Sequence, residues 1–132
     1  MSGVAFRADV GIDPDAGVPL FRGYASDYFQ VGAARIDSSL IIHQLQLERP
    51  WRLERFERMT TDHLEWLTAE PPELLLLGSG RTTRFPPQAV CDWLRQRRIP
   101  FESMDSRAAA RTWNILMGEG RRASCALLLP GA

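Results

Sequence analysis

The run Glu73-Leu74-Leu75-Leu76-Leu77-Gly78 constrains this chain more than any other stretch. Successive side chains of a strand point to opposite faces, so a strand with one wet face alternates apolar and polar residues. Unbroken leucine leaves no face for water, and the run reads as a central strand covered on both sides. Such a strand needs a sheet in the middle of the fold and a layer above and below it. Pro71-Pro72 precede the run and Gly78-Ser79-Gly80 end it.

The residues that follow supply the covers. Between Pro86 and Arg98, Ala89, Val90, Trp93 and Leu94 share one face of a helix, and Gln88, Asp92, Arg95 and Gln96 share the other. Pro86 or Pro87 suits its first turn, where no N–H is needed. Ile99–Met104 makes a short strand, and Asp105 or Ser106 can then cap a helix that runs to Gly118, where a left-handed residue would stop it. Around that helix Ala108, Ala109, Thr112, Trp113, Ile115, Leu116 and Met117 fill a wide arc expected to be buried. Arg107, Arg111 and Asn114 form one narrow polar stripe. Ala123–Leu129 closes the series as a last apolar strand. The order strand, helix, strand, helix, strand points to an α/β sandwich with a sheet in the middle.

Upstream the pattern is looser. Residues 1–20 read as a flexible lead-in, with one short extended piece at Pro19–Arg22, and residues 21–132 as a single α/β domain. Tyr28–Val31 and Ser39–His43 are strand-like and are expected to pair as an N-terminal hairpin ahead of the βαβαβ series. Thr60-Thr61-Asp62 offers caps for a short helix through Leu64, Trp66 and Leu67. Trp66, Trp93 and Trp113 lie on apolar faces and belong in the core, whereas Trp51, beside Pro50, is the tryptophan most suited to exposure and a protein contact.

Composition excludes several classes of function. Formal net charge is zero, which argues against a general nucleic-acid binder, since phosphate neutralisation needs a basic excess. Cys91 and Cys125 stand far apart, and His43 and His63 have no second ligand at a chelating spacing, so no metal site or disulfide framework is indicated. The N-terminus has no secretory pattern, and no apolar run approaches the roughly 20 residues that span a bilayer. The expectation is a cytoplasmic protein without membrane insertion. No cofactor motif is complete: Gly78 and Gly80 begin a GxGxxG, but Thr83 stands in the place of its third glycine. Ser79 is not in a GxSxG elbow, and no catalytic set is legible.

Two surfaces remain as candidates. In open α/β sheets ligands bind beyond the carboxyl ends of the strands, where helix N-termini favour negative charge. Gly78, Ser79, Gly80 and Arg84 after one strand, Asp105, Ser106 and Arg107 after the next, and Arg121 are the candidates for an anion or small-molecule crevice of that kind. Trp51, Arg107, Arg111 and Asn114 are the candidates for binding a protein partner.

Leu74–Gly80, Phe85-Pro86-Pro87 opening a helix, Met104-Asp105-Ser106, Ala109, Arg111–Leu116 and Glu119-Gly120-Arg121 occur here in an order that resembles one small family. It is the bacterial, archaeal and mitochondrial domain family whose mitochondrial member is assembly factor 3 of NADH dehydrogenase, respiratory complex I. The likeness runs from about Phe29 to Leu129, with Trp51 matching a tryptophan after the hairpin; Ser106 stands where threonine is common and Trp113 where tyrosine is. The resemblance implies a three-layer α/β fold around a mixed, mostly parallel sheet that can carry its last strand antiparallel to its neighbours. It also implies an accessory role in assembling a membrane respiratory complex, with protein partners and no catalytic residues to carry over.

Overall fold

A computed structural model describes residues 17–132. The lead-in expected over residues 1–20 falls mainly outside the described residues. By Leu20 and Phe21 the chain is already buried, and the expected extended piece continues as strand β1, Phe21–Ala25.

β1, β2 (Tyr28–Val31) and β3 (Ala34–Ile36) form a three-stranded antiparallel meander. β4 (Leu40–His43) and β5 (Gln46–Glu48) make a second hairpin, which belongs to the main sheet. The hairpin expected between Tyr28–Val31 and Ser39–His43 is therefore corrected. The first run pairs with β1 and β3, the second with β5, and the two lie in different sheets. The physical reason is local: the short turn after Val31 brings β3 back onto β2, and the two-residue turn after His43 brings β5 back onto β4.

The main sheet has the order β5-β4-β8-β6-β7, with β6 at Leu74–Gly78, β7 at Phe101–Met104 and β8 at Ala123–Leu127. β6 runs parallel to both β7 and β8, and β4 runs antiparallel to β8. The sheet is thus mixed. Its last strand is parallel to one neighbour and antiparallel to the other.

Helix α1 (Gln88–Gln96) connects β6 to β7, and helix α2 (Ser106–Gly118) carries the chain from β7 back across β6 to β8. Two right-handed crossovers leaving in opposite directions must lie on opposite faces, and they do. Leu75 and Leu77 pack with Val90 and Leu94 of α1, with Trp51 and with the 3-10 helix Thr61–Leu67. Leu76 faces the other way, into a cluster with Ala109, Ala110, Trp113 and Leu116 of α2 and with Phe21, Phe29, Val31 and Ile36 of the meander. All of Leu75, Leu76 and Leu77 are fully buried.

Both helix ends of α2 are specified by sequence. Asp105 Oδ1 accepts from Ala108 N at 3.0 Å, the expected cap. At the other end the left-handed residue is Gly120, with φ +71°, rather than Gly118. Arg121 N donates to Leu116 O and Gly120 N to Met117 O, the paired bonds of a Schellman stop. The wide arc expected to be buried is interrupted at Ile115, which is 61% exposed.

β6 ends in a close approach. A Cβ on Gly78 would meet Leu127 Cγ at 2.6 Å and Ser106 Oγ at 2.9 Å. Neither contact is with the far end of a flexible chain. Gly78→Ala is expected to destabilise the fold by about 1–3 kcal/mol through overpacking, read as a lower denaturation midpoint at unchanged m-value.

Candidate functional site

The two loops expected to share a crevice do meet. Ser79 N donates to Met104 O at 2.8 Å, and Gly80 and Ser106 bond reciprocally. Ser106 N donates to Gly80 O at 2.8 Å, and Gly80 N donates to Ser106 Oγ at 2.8 Å. Ser79 and Ser106 are fully buried. Ser79 Oγ donates to Thr82 O at 2.7 Å and accepts from Arg84 N at 3.0 Å, so it holds the loop's own turn together.

The chain also covers this place. Leu128 N donates to Gly78 O, and Arg81 N donates to Ala132 O at 2.9 Å. Gly80 sits at φ +96°, and a Cβ there would lie 2.5 Å from Ala132 O. Arg107 Nη1 donates to Pro130 O at 3.2 Å, and Gly131 N donates to Ser26 O. The backbone N–H groups of Ser79, Gly80, Arg81, Arg84, Ser106 and Ala108 therefore all have partners within the chain. Arg84 turns outward to Glu57, 3.7 Å away, and its carbonyl accepts from Ser103 Oγ.

Arg121 is not brought to this loop. It lies two residues ahead of β8, whose Ala123 pairs with Leu74, whereas Gly78 pairs with Leu127 at the other end of the ladder, about 13 Å of strand away. Arg121 Nε meets Glu73 Oε1 at 3.3 Å, and Arg122 Nε meets Glu73 Oε2 at 3.6 Å. The backbone N–H of Arg122 and then the Arg121 side chain hold the Glu73 carboxyl below the usual carboxylate range.

The polar stripe of α2 divides in three. Asn114 Oδ1 accepts from Phe21 N at 2.9 Å and its Nδ2 donates to Phe21 O at 2.7 Å, which binds the meander to the helix. Arg107 serves the covering segment, as above. Arg111, exposed, donates to Tyr24 Oη at 2.6 Å and stands one turn from exposed Ile115. Trp51 is 3% exposed, which corrects the expectation of an exposed indole; its Nε1 donates to His63 O at 3.0 Å. Trp66 Nε1 donates to the same carbonyl at 2.7 Å. His63 in turn closes the capping box with Thr60, its Nδ1 accepting from Thr60 N at 2.9 Å.

At the opposite end of the sheet lies a cavity of about 780 Å³ that sequence reasoning missed. His43 and Ser124 meet there, Nδ1 to Oγ at 2.7 Å, with Ser124 almost fully buried and the His43 ring edge-on to Trp66. The tip of the β4–β5 hairpin forms one wall. Its two-residue turn, Gln44-Leu45, has φ +52° and +63°, a left-handed pair that asparagine and glycine ordinarily supply. With bulkier residues it stores backbone strain of about 1–3 kcal/mol per residue. Gln44 Nε2 donates to Glu70, and Leu45 is left 46% exposed over the cavity. Among the described residues no group of three or more His, Cys, Asp or Glu converges as a metal site would need.

A mixed-sheet α/β domain, with its strand-end loop closed by its own chain and a cavity at the other end of the sheet, is the class of protein these features define. The chain belongs to the family described as protein of unknown function (DUF498/DUF598), whose model matches residues 21–128. An uncharacterised protein of Rhodobacter capsulatus is 32% identical over 118 residues, covering 89% of this chain and 90% of that protein. The 13 kDa major membrane protein of Francisella tularensis subsp. holarctica is 26% identical over 82% of this chain and 89% of its own length. Human NADH dehydrogenase [ubiquinone] 1 alpha subcomplex assembly factor 3 is 33% identical over 61% of this chain and 45% of its own. A Bordetella pertussis protein solved as an Mth938-like domain superposes with a TM-score of 0.77 at 26% identity, covering 94% of each chain. The resemblance read from Leu74–Gly80 and Met104–Arg121 thus holds, and no helix among the described residues is long and apolar enough to cross a membrane.

Two outcomes test this geometry. Ser106→Ala removes the acceptor of a buried N–H and is expected to cost about 1–3 kcal/mol in denaturant unfolding. Burial pushes the His43 imidazole below its ordinary pKa, against the weaker upward pull of Glu70 and Glu48. The unfolded chain then takes up that proton first, so stability present above about pH 6.5 is lost as the pH falls through that value toward the native pKa. His43→Gln is expected to flatten the fall in urea midpoint between about pH 7.5 and pH 5.5, before carboxylates titrate.

Proposed function

We propose that this chain is a non-catalytic, cytoplasmic accessory protein that binds other proteins and serves the assembly of a complex I-type NADH dehydrogenase. The relation to the human assembly factor supports the role at the level of the family. The observation that carries a partner surface is Ile115, 61% exposed on a helix whose Ala109, Ala110, Trp113 and Leu116 are in the core, with Arg111 beside it. A large apolar side chain flanked by an arginine is the composition of a contact-patch centre. Of the partner-binding candidates read from sequence, Arg111 is the exposed one, its guanidinium bonded to Tyr24 Oη at the surface, whereas Asn114 and Arg107 are half-buried on main-chain partners and Trp51 is buried. Anion or nucleotide binding at the Gly78–Gly80 loop draws less support, since its backbone donors are already used.

The test is deletion of the gene in a host that carries the respiratory enzyme, with assembled complex measured on native gels and by membrane NADH oxidation. Deletion is expected to lower both readouts. Wild-type protein is expected to restore them, and an Ile115→Asp variant of normal stability is expected to fail. Unchanged assembly in the deletion strain would remove the proposal.

A further inference from the structure

We infer that the cavity beneath the β4–β5 hairpin is a binding site for a small amphipathic carboxylate, an acid with an apolar body of medium length. The cavity is an open cleft, and its volume of about 780 Å³ lies in the range of small-ligand sites. The walls that a body would lie against are apolar: Leu45 at the hairpin tip, Pro72 ahead of β6 and Met117 in the last turn of α2. The cations stand together at one side, on adjacent residues. Arg121 and Arg122 line the cavity and share the single carboxylate of Glu73, each through Nε. Arg121 Nη1 also lies 3.9 Å from Glu119 Oε1, whereas Arg122 meets Glu73 through Nε and keeps its Nη groups for a ligand, and a carboxylate matches the guanidinium fork. Glu70, the acid that lines the cavity, is held by the Gln44 side chain.

Two further observations point to a built site. The His43–Ser124 pair is a polar contact that the fold does not need for the sheet ladder, placed where the cavity is lined by β4 and β8. When Ser124 Oγ donates to Nδ1, Nε2 becomes the ring's donor for a second polar atom of the ligand. The left-handed Gln44-Leu45 turn holds an apolar side chain over the opening at a backbone cost, and strained turns of this sort are kept where a side chain has to be aimed. The site is separate from the α2 surface proposed above, so either reading stands or falls without the other.

The experiment is a titration of the purified full chain with decanoate below its micelle concentration, read by tryptophan fluorescence and by amide chemical shifts. Decanol and acetate serve as the neutral-headed and body-less controls. Decanoate is expected to bind, with shifts at His43–Leu45 and Arg121–Ser124, and both controls to bind at least about tenfold more weakly. Arg122→Ala, at an exposed position, is expected to weaken decanoate by about tenfold or more with decanol unchanged, and Arg122→Lys to restore part of it. Equal binding of decanol, no effect of Arg122→Ala, or shifts that map elsewhere would each overturn the assignment. So would capture of the protein by anionic lipid vesicles with no binding of the monomeric acid.

Discussion

Covering β6 on both faces is the constraint on which the rest of this structure depends. Leu75 and Leu77 demand one apolar layer and Leu76 another, and α1 and α2 reach those layers only because the chain leaves β6 toward β7 and then doubles back to β8. The cost of that arrangement is concentrated at the strand's carboxyl end. There β8, the start of α2 and the loop after β6 converge so tightly that Gly78 has no room for a Cβ. In related architectures such a convergence leaves a crevice. Here Ser106, Gly80 and the segment Leu128–Ala132 fill it with one another's hydrogen bonds.

The parts of the fold that were legible in sequence are those written by burial. The leucine run, the amphipathic residues of α1 and the capped helix after Asp105 each require a specific period or a specific terminus, and each occupies the expected place. Pairing among the N-terminal strands was not legible. The β4–β5 hairpin turns on Gln44-Leu45, which carry none of the glycine, asparagine or proline that announces a turn, so the sequence marks neither its second strand nor the partner of its first. Trp51 illustrates a second limit. Its proximity to a proline suggested surface, but the carbonyl of His63, twelve residues on, satisfies the indole N–H and allows full burial.

The candidate site was legible in part for the same reason. Spacing brought Gly78–Gly80 and Asp105–Arg107 to one edge correctly, because parallel neighbours joined by a helix must end together. Spacing could not say that the donors there would be consumed internally, nor that Arg121 belongs to the far end of β8. The cavity with His43 and Ser124 is built from residues 81 positions apart on antiparallel strands. No local pattern marks such a pair, and only the register of β4 against β8 brings it together.

Asn114 has a consequence beyond fastening α2 to the meander. Its carboxamide offers Phe21 one acceptor and one donor, the same two groups that a neighbouring strand would present to that residue. β1 is an outer strand of its sheet, and an outer strand with free N–H and C=O groups is a template for unwanted chain pairing. At Phe21 a single amide on a helix therefore takes the place of the missing neighbour. Because it reads main chain alone, that protection does not depend on which side chain position 21 carries.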